Sequence, residues 1–252
     1  MRLASWNVNS LRVRLPHLLD WLAKARPDVA CLQETKTEDA NFPDAELRAA
    51  GYASVFCGQK GYNGVAILSR SPIAEVAHGI PDFADDPKRC IHATINGMRV
   101  VCLYAPNGEA PGTDKYAYKL RYYEALARWL GGLRTDGLAV LGDMNVAPED
   151  RDVHNPKRWE GKIHVSEPER AALRRLMGIG LVDAFRLFPQ PEKSFSWWDY
   201  RLRAFERGWG LRIDLALLAP ELAKRCTGCT IDLAPRKRER PSDHAPVIVE
   251  LN

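Results

Sequence analysis

The 252-residue chain has no apolar run near the ~20 residues that a membrane span requires. Its N-terminal stretch, MRLASWNVNSLRVRL, places Asn7, Asn9, Arg12 and Arg14 where a secretory leader needs apolar side chains. Both absences predict a cytoplasmic protein that works away from membranes. Cysteine is scarce, with six in all, and only Cys226 and Cys229 form a C-x-x-C. No second cysteine or histidine pair stands at zinc-site spacing, so all six read as small core residues rather than metal or redox groups. G-x-S-x-G, G-x-x-x-x-G-K-[ST] and H-E-x-x-H are missing too, which removes the nucleophile-elbow hydrolases, P-loop enzymes and zincin proteases. No repeat, low-complexity tract or Pro/Gly/Ser linker divides the chain, so residues 1–252 are expected to form one domain, and the protein a monomer.

The 46% hydrophobic and 27% charged content is that of a globular protein. A net charge of +4 permits a polyanionic partner without demanding one. Periodicity predicts strands over 2–8, 28–34, 53–57, 64–69, 73–77, 90–95, 99–104, 138–141, 181–185, 194–198, 211–218 and 247–251. Helices are predicted over 11–25, 44–50, 115–130 and 167–177, the last opened by a Ser166–Glu169 capping box. Asn96–Gly97 reads as a hairpin turn, and GQKGYNG (58–64) as turns with the wrong spacing for a phosphate loop. The irregular stretches 82–88 and 150–164 fall on the surface, and the basic run RKRER (236–240) reads as a solvated loop. Adjacent strands joined by short turns, with helices between them out of strict alternation, predict mixed sheets with helices outside.

Polar side chains recur at the ends of these apolar strands. Asn7 closes the first, Glu34 the second, Tyr104 and Asn107 follow VVCL, and Asp143 and Asn145 follow LAVLG. Asp214 interrupts LRIDLALL, and Asp243 and His244 precede APVIVEL. A carboxylate after a buried apolar run is costly unless it is paired or bound to a cation. Strands lying side by side would bring these ends into one pocket. Glu34, Asp143, Asp214 and Asp243 are hard oxygen ligands suited to Mg2+ or Mn2+. His244 can donate to a phosphoryl oxygen as its charge grows, and an acid beside it would set its tautomer.

Seven segments carry a resemblance: LASWNVNSLR (3–12), DVACLQETK (28–36), GQKGYNGVAILSR (58–70), LGDMNVAP (141–148), SFSWWDYR (194–201), GLRIDLALL (210–218) and PSDHAPV (241–247). Together they resemble the exonuclease III family of the endonuclease/exonuclease/phosphatase superfamily, in order and across the whole chain. The resemblance implies a four-layer α/β sandwich, with two mixed β-sheets face to face and helices outside. It implies Mg2+-dependent hydrolysis of phosphodiesters in duplex DNA at 3′ ends, nicks or abasic sites, with Mn2+ able to substitute. Glu34 would be the main metal ligand, with Asn7 beside it and Asp243 secondary. Asp143 would orient or deprotonate the attacking water, and Asn145 would hold that water or a phosphate oxygen. Tyr104 would act near the phosphate as a donor or a phenolate. Asp214 would pair with His244, which would bind the scissile phosphate, or would itself protonate the leaving oxygen.

Arg89, Lys119, Arg121, Asn155, Lys157 and Arg158 lie in segments similar to the family's backbone-contacting loops. Trp197 and Trp198 lie in its aromatic loop, where stacking beside Arg201 and Arg203 suits nucleic acid. Asn107 departs from the family's glutamine but keeps the amide. His164 stands where most abasic endonucleases of the family carry a small residue, a pattern similar to a branch that trims 3′ ends and cuts abasic sites poorly. Its imidazole would fill the space of an extruded abasic sugar, stack on a terminal nucleotide, or simply pack. The expected activity is 3′→5′ exonuclease with 3′-end cleaning. The alternatives are a full abasic endonuclease, a relative acting on RNA or lipid head groups, and a DNA-binding module without catalysis.

Overall fold

The computed structural model describes residues 1–84, 87–133 and 137–252, so Asp85 and Asp86 of the irregular stretch 82–88 lie outside the described residues. The strands are β1 (Arg2–Asn7), β2 (Val29–Gln33), β3 (Ala53–Cys57), β4 (Val65–Ser69), β5 (Ala74–His78), β6 (Cys90–Ile95), β7 (Met98–Tyr104), β8 (Leu138–Asp143), β9 (Val182–Asp183), β10 (Trp197–Trp198), β11 (Gly210–Leu211), β12 (Asp214–Leu218), β13 (Cys226–Ile231) and β14 (Val247–Leu251). The helices are α1 (Leu11–Ala25), α2 (Asp44–Ala49), α3 (Asp114–Gly131), α4 (Pro156–Trp159), α5 (Glu167–Met177) and α6 (Pro220–Arg225). Two six-stranded sheets, ordered β13-β14-β1-β2-β4-β3 and β5-β6-β7-β8-β12-β9, make the frame. Only β1–β2 and β7–β8 pair in parallel; the other pairings within these sheets are antiparallel.

Side-chain alternation builds the layers. Leu3, Cys31 and Ile67 of the first sheet meet Ile91, Val100 and Leu141 of the second in a shared core. Their neighbours Ala4, Leu32 and Leu68 turn outward beneath Leu11, Leu18 and Leu22 of α1. Val101, Val140 and Leu217 turn outward beneath α3 and α5. With a period of two, inner strands such as β2, β4, β8 and β12 bury both faces, and this is why they read as continuous apolar runs. The result is the four-layer sandwich.

Local signals work as expected where they are strong. Arg26 takes a left-handed conformation (φ 47°) and its N–H bonds Leu22 O, ending α1 before Pro27. Asn96 (φ 49°) and Gly97 (φ 76°) form the primed turn between β6 and β7. Ser166 and Glu169 form both halves of the capping box.

Three expectations need correction. The strand predicted over 211–218 is two short strands, because Arg212 turns aside into a buried ion cluster with Asp152 and Asp183, its Nε 2.6 Å and Nη2 2.7 Å from their oxygens. The strand over 181–185 stops at Asp183, whose side chain caps a turn of 3-10 helix by accepting from Phe185 N. The strand over 194–198 is only the two residues of β10. Sequence periodicity also misses α4, α6 and β13. The last is a bulged edge strand whose alternation is broken between Cys226 and Gly228. Cys226 and Cys229 both pack against the core between the sheets, and burial pushes the Cys229 thiol up.

Candidate active site

The site lies at one end of the sandwich. The parallel pairs β1–β2 and β7–β8 present their C-terminal ends there, and antiparallel β12 and β14 present their N-terminal ends. Register therefore places Asp214 directly opposite Asp143, and Tyr104 beside it. Asn7 closes β1, and Glu34 follows β2 in a left-handed conformation (φ 49°) that swings its carboxylate toward Asn7. Such strain in a residue with a Cβ persists only when its surroundings enforce it. They do: Thr35 N bonds Gly64 O at 3.1 Å, and Lys36 N bonds Asn63 O at 2.9 Å. At Gly64 (φ +93°) a Cβ would meet Thr35 Oγ1 at 2.1 Å, so this glycine is required for the close approach. The GQKGYNG turns thus brace Glu34.

The polar contacts form one buried network. Asn7 Nδ2 donates to Glu34 Oε1 at 2.8 Å and to Asp143 Oδ2 at 3.0 Å. Lys36 Nζ lies 2.8 Å from Glu34 Oε2. His244 Nδ1 lies 2.8 Å from Asp214 Oδ2, and its Nε2 lies 3.7 Å from Asp143 Oδ2. Asp214 Oδ2 also accepts from Ser196 Oγ at 2.6 Å. Asn145 N donates to Asp143 Oδ1 at 2.9 Å, while Asn145 Nδ2 is held by Ala105 O.

Electrostatics sets the protons. Burial opposes charge on His244, but Asp214 and Asp143 outweigh it and push the imidazole up to about 10. Burial pushes Asp143 up to about 7 against the pull of His244, with Asp214 and Glu34 adding to the rise. Burial, then Glu34 and Asp143, push the Tyr104 phenol well up, which favours the hydroxyl over the phenolate. Asp214 is 1% exposed, and its contact with His244 Nδ1 pairs the two side chains.

Among the described residues, Glu34, Asp143 and His244 offer ligand atoms within 4.8 Å of one another. Two carboxylates fit a hard divalent cation. His244, held protonated, fits better as a donor beside it. Asp243 does not join this group. Its carboxylate accepts from Asn9 Nδ2 at 2.8 Å and Trp197 Nε1 at 3.1 Å, which places it as a link between loops.

The nucleic-acid candidates divide. Arg121, Asn155, Lys157 and Arg158 are exposed, and Asn155 caps α4 through Arg158 N. Arg89 packs its guanidinium 4.9 Å from the Tyr104 ring centroid. Lys119 is corrected from a phosphate contact to a buried support: it is 0% exposed, ion-paired to Glu169, and donates to Asn145 O at 2.7 Å and Asn107 O at 3.0 Å. Trp198 is corrected from pocket lining to core, 4% exposed against Phe205. Trp197 does line a cavity of about 680 Å³, together with Trp159, Trp209 and His154, which carried no sequence signal beyond being aromatic. His164 is 5% exposed, its ring between Trp159 and Trp197 and its Nδ1 2.7 Å from Asn145 O. It therefore packs behind the cavity wall and offers no face for stacking. Ser196, Lys36, Asn9 and Glu169 complete the site; sequence gave no site role to the first three and read Glu169 only as half of a capping box.

Comparison with known proteins agrees with this geometry. The endonuclease/exonuclease/phosphatase family model matches residues 4–244. The chain belongs to the exonuclease III branch of that family. Exodeoxyribonuclease III of Haemophilus influenzae is 38% identical over 267 residues, covering 100% of both chains. NExo of Neisseria meningitidis, described as a 3′–5′ exonuclease, is 43% identical with a TM-score of 0.97, covering 100% of both chains. An AP endonuclease from Archaeoglobus fulgidus is 39% identical with a TM-score of 0.97, covering 100% of this chain and 99% of the other. Within this family the two sheets and their shared end are the expected frame, and Asn7, Glu34, Asp143, Asp214 and His244 stand at that end.

Proposed function

We propose that the protein is a divalent-cation-dependent DNA-repair nuclease that removes nucleotides and blocking groups from 3′ ends in duplex DNA. The observation that carries this is the chain Glu34–Asn7–Asp143–His244–Asp214, buried but for Glu34 at its outer end, every link 2.8–3.7 Å long. The relatives described as exodeoxyribonuclease III and as a 3′–5′ exonuclease support it. A single domain, residues 1–252, acting as a cytoplasmic monomer on duplex DNA completes the reading.

Asp143 takes a proton from the attacking water, which Asn145 helps to orient. His244, charged and fixed by Asp214, donates to a phosphoryl oxygen as negative charge grows there. Tyr104 donates its hydroxyl to the same phosphate. Glu34 and Asp143 would hold Mg2+ or Mn2+, with Asn7 setting both carboxylates and Asp243 acting from the next shell of contacts. Bound there, the cation would neutralise charge on the leaving 3′ oxygen. Arg89, Arg121, Asn155, Lys157 and Arg158 hold the backbone, and Trp197 lies against the residue to be removed.

His164 favours end trimming over abasic cleavage, because its ring occupies the volume between Trp159 and Trp197. The A. fulgidus relative keeps abasic endonuclease as the second reading. A 5′-labelled duplex with a recessed 3′ end and an internal abasic analogue, with Mg2+ and separately with EDTA, separates the two. A Mg2+-dependent ladder from the 3′ end without a discrete internal band is expected. A single strong band at the analogue would reverse the preference, and no cleavage in either condition would overturn the nuclease reading.

A further inference from the structure

We infer that Arg14 is a positioning residue for the nuclease reaction: its guanidinium fixes the segment that carries His244 against the segment that carries Asn7. The inference rests on the nuclease reading above. It gives a role to a side chain whose bonds go to two backbone carbonyls and one phenol.

Arg14 is the fourth residue of α1, and the chain enters that helix through a strained turn. Asn9 (φ 42°) and Ser10 (φ 91°) both take positive φ, and the Ser10 side chain caps no helical N–H. Such strain persists only where the surroundings enforce it. Arg14 Nη1 donates to Asn9 O at 2.8 Å and closes the turn from the helix side. Asn9 is in turn bonded to both segments. Its backbone N donates to Asn7 Oδ1 at 3.0 Å, and its Nδ2 donates to Asp243 Oδ1 at 2.8 Å.

The other arm of the fork reaches the His244 segment. Arg14 Nη2 donates to Pro241 O and to Tyr200 Oη, each at 2.9 Å. Tyr200 Oη donates to the same Pro241 carbonyl at 2.8 Å. Pro241 opens the run that ends at His244. Within that run Ser242 Oγ donates to Asn7 O at 2.6 Å and accepts from His244 N at 3.2 Å. One planar cation therefore spans both segments, and a lysine ammonium on its flexible stem does not reproduce that fork. Arg14 Nε is buried, so the fork is turned into the protein; an arginine that meets phosphate presents its donors to solvent.

The basic run RKRER, expected as a solvated loop, is corrected by the same hub. Arg236 is 7% exposed, its guanidinium 5.6 Å from the Tyr200 ring centroid and 4.8 Å from that of Phe205. Arg238 is ion-paired to Asp20 of α1. The approach to Pro241 is thus tied to the same helix and the same tyrosine. His244 serves the phosphate only from the correct place, and a misplacement of about 1 Å costs on the order of a hundredfold in rate. Loosening Pro241 should therefore be felt in turnover and not in duplex affinity.

Arg14→Met removes all three bonds and keeps the aliphatic stem. On a duplex with a recessed 3′ end and Mg2+, its kcat should fall at least about tenfold, with KM and the salt slope of duplex binding unchanged. Arg14→Lys keeps the charge and should recover little of that loss. An unchanged kcat, or full activity in Arg14→Lys, would overturn the inference. A raised KM with a shallower salt slope would overturn it too, by making Arg14 a phosphate contact. If Arg14→Met does not fold, Tyr200→Phe carries the same test, since it removes one of the two donors to Pro241 O. It should lower kcat at constant KM, and a normal kcat would overturn the shared hub. Nitrogen-15 histidine labelling gives a readout independent of turnover. The His244 Nδ1 proton signal, identified by its loss in His244→Gln, should broaden or shift in Arg14→Met; an unchanged signal would overturn the positioning role. Should the wild type not cleave the duplex, the nuclease reading fails, and this signal alone decides whether Arg14 positions His244.

Discussion

Asp143 and His244 share one buried network yet hold opposite proton preferences, and Asn7 and Ser196 keep their geometry. Asp143→Asn keeps the shape of the side chain but removes its basicity. Turnover should fall at least a hundredfold, with duplex binding retained in a gel-shift assay; retained turnover would show that another group accepts the proton. Ser196→Ala removes the hydroxyl that bonds Asp214 Oδ2 and accepts from Ile213 N and Asp214 N. The His244 imidazole then loses its fixed partner orientation, and kcat should drop about tenfold with little change in KM, on the scale of a buried hydrogen bond to a charged group. His164→Gly opens the volume between Trp159 and Trp197. It should raise abasic cleavage relative to nucleotide removal, read on the abasic duplex, and an unchanged ratio would remove the steric account. The candidate catalytic set was legible because carboxylates and amides at the ends of apolar strands are conspicuous. Ser196 was not, since a serine between two aromatics carries no signal until the fold sets it under Asp214.

The support behind Asn145 comes from two helices. Lys119 of α3 and Glu169 of α5 are both 0% exposed, and the pair ties Asn107, Asn145 and His164 N together. Burial pulls the Lys119 ammonium down while Glu169 holds it. Lys119→Met leaves Glu169 buried without a counter-charge, and should cost about 3–5 kcal/mol in denaturant unfolding. Lys119→Met/Glu169→Leu should recover much of that stability while nuclease activity stays low, because the Asn107 and Asn145 carbonyls would still lack the Lys119 ammonium that ties them together. Sequence alone read Lys119 as a phosphate contact and Glu169 only as a capping residue. Helical spacing predicts which face a lysine shares; it does not say whether that face meets solvent or a second helix. The same limit hid β13, whose bulge breaks the alternation on which strand detection relies.

The molecule as a whole titrates through its buried imidazoles. Burial lowers His164 to about 3, with Lys119 adding, and lowers His92 to about 4, with Arg99 adding. Both are neutral when folded and charge near 6.5 when unfolded, so their contribution is complete above pH 6.5 and is lost as pH falls toward 4. For His164 that loss is about 2 kcal/mol at pH 5. His244 has the opposite sign: its folded value is raised, so its contribution is complete below pH 6.5 and is lost as pH rises through about 10. Asp143, raised to about 7, adds a penalty that grows above pH 4. Between pH 7 and pH 5 the two neutral imidazoles lower stability while His244 and Asp143 raise it, so His92→Phe should raise the unfolding temperature at pH 5 relative to that at pH 7; an unchanged difference would assign the acid limb elsewhere. Duplex binding should also weaken linearly in log Kd against log salt, as exposed arginines and lysines displace counterions.

Local chemistry by itself determined the period of each strand, the caps of α1 and α5, the turn at Asn96–Gly97 and the placement of Asn7, Glu34, Tyr104, Asp143, Asp214 and His244 at strand ends. These follow from backbone sterics and from the cost of burying a polar group, both of which act within a few residues. The tertiary structure alone decided which charges meet water. It buried Lys119 against Glu169, sent Trp198 into the core, assigned Asp243 to Asn9 and Trp197, and set His154, Trp159 and Trp209 around one cavity. Each of those outcomes depends on what a distant segment brings to the far side of the same side chain, and burial and pairing are properties of that juxtaposition.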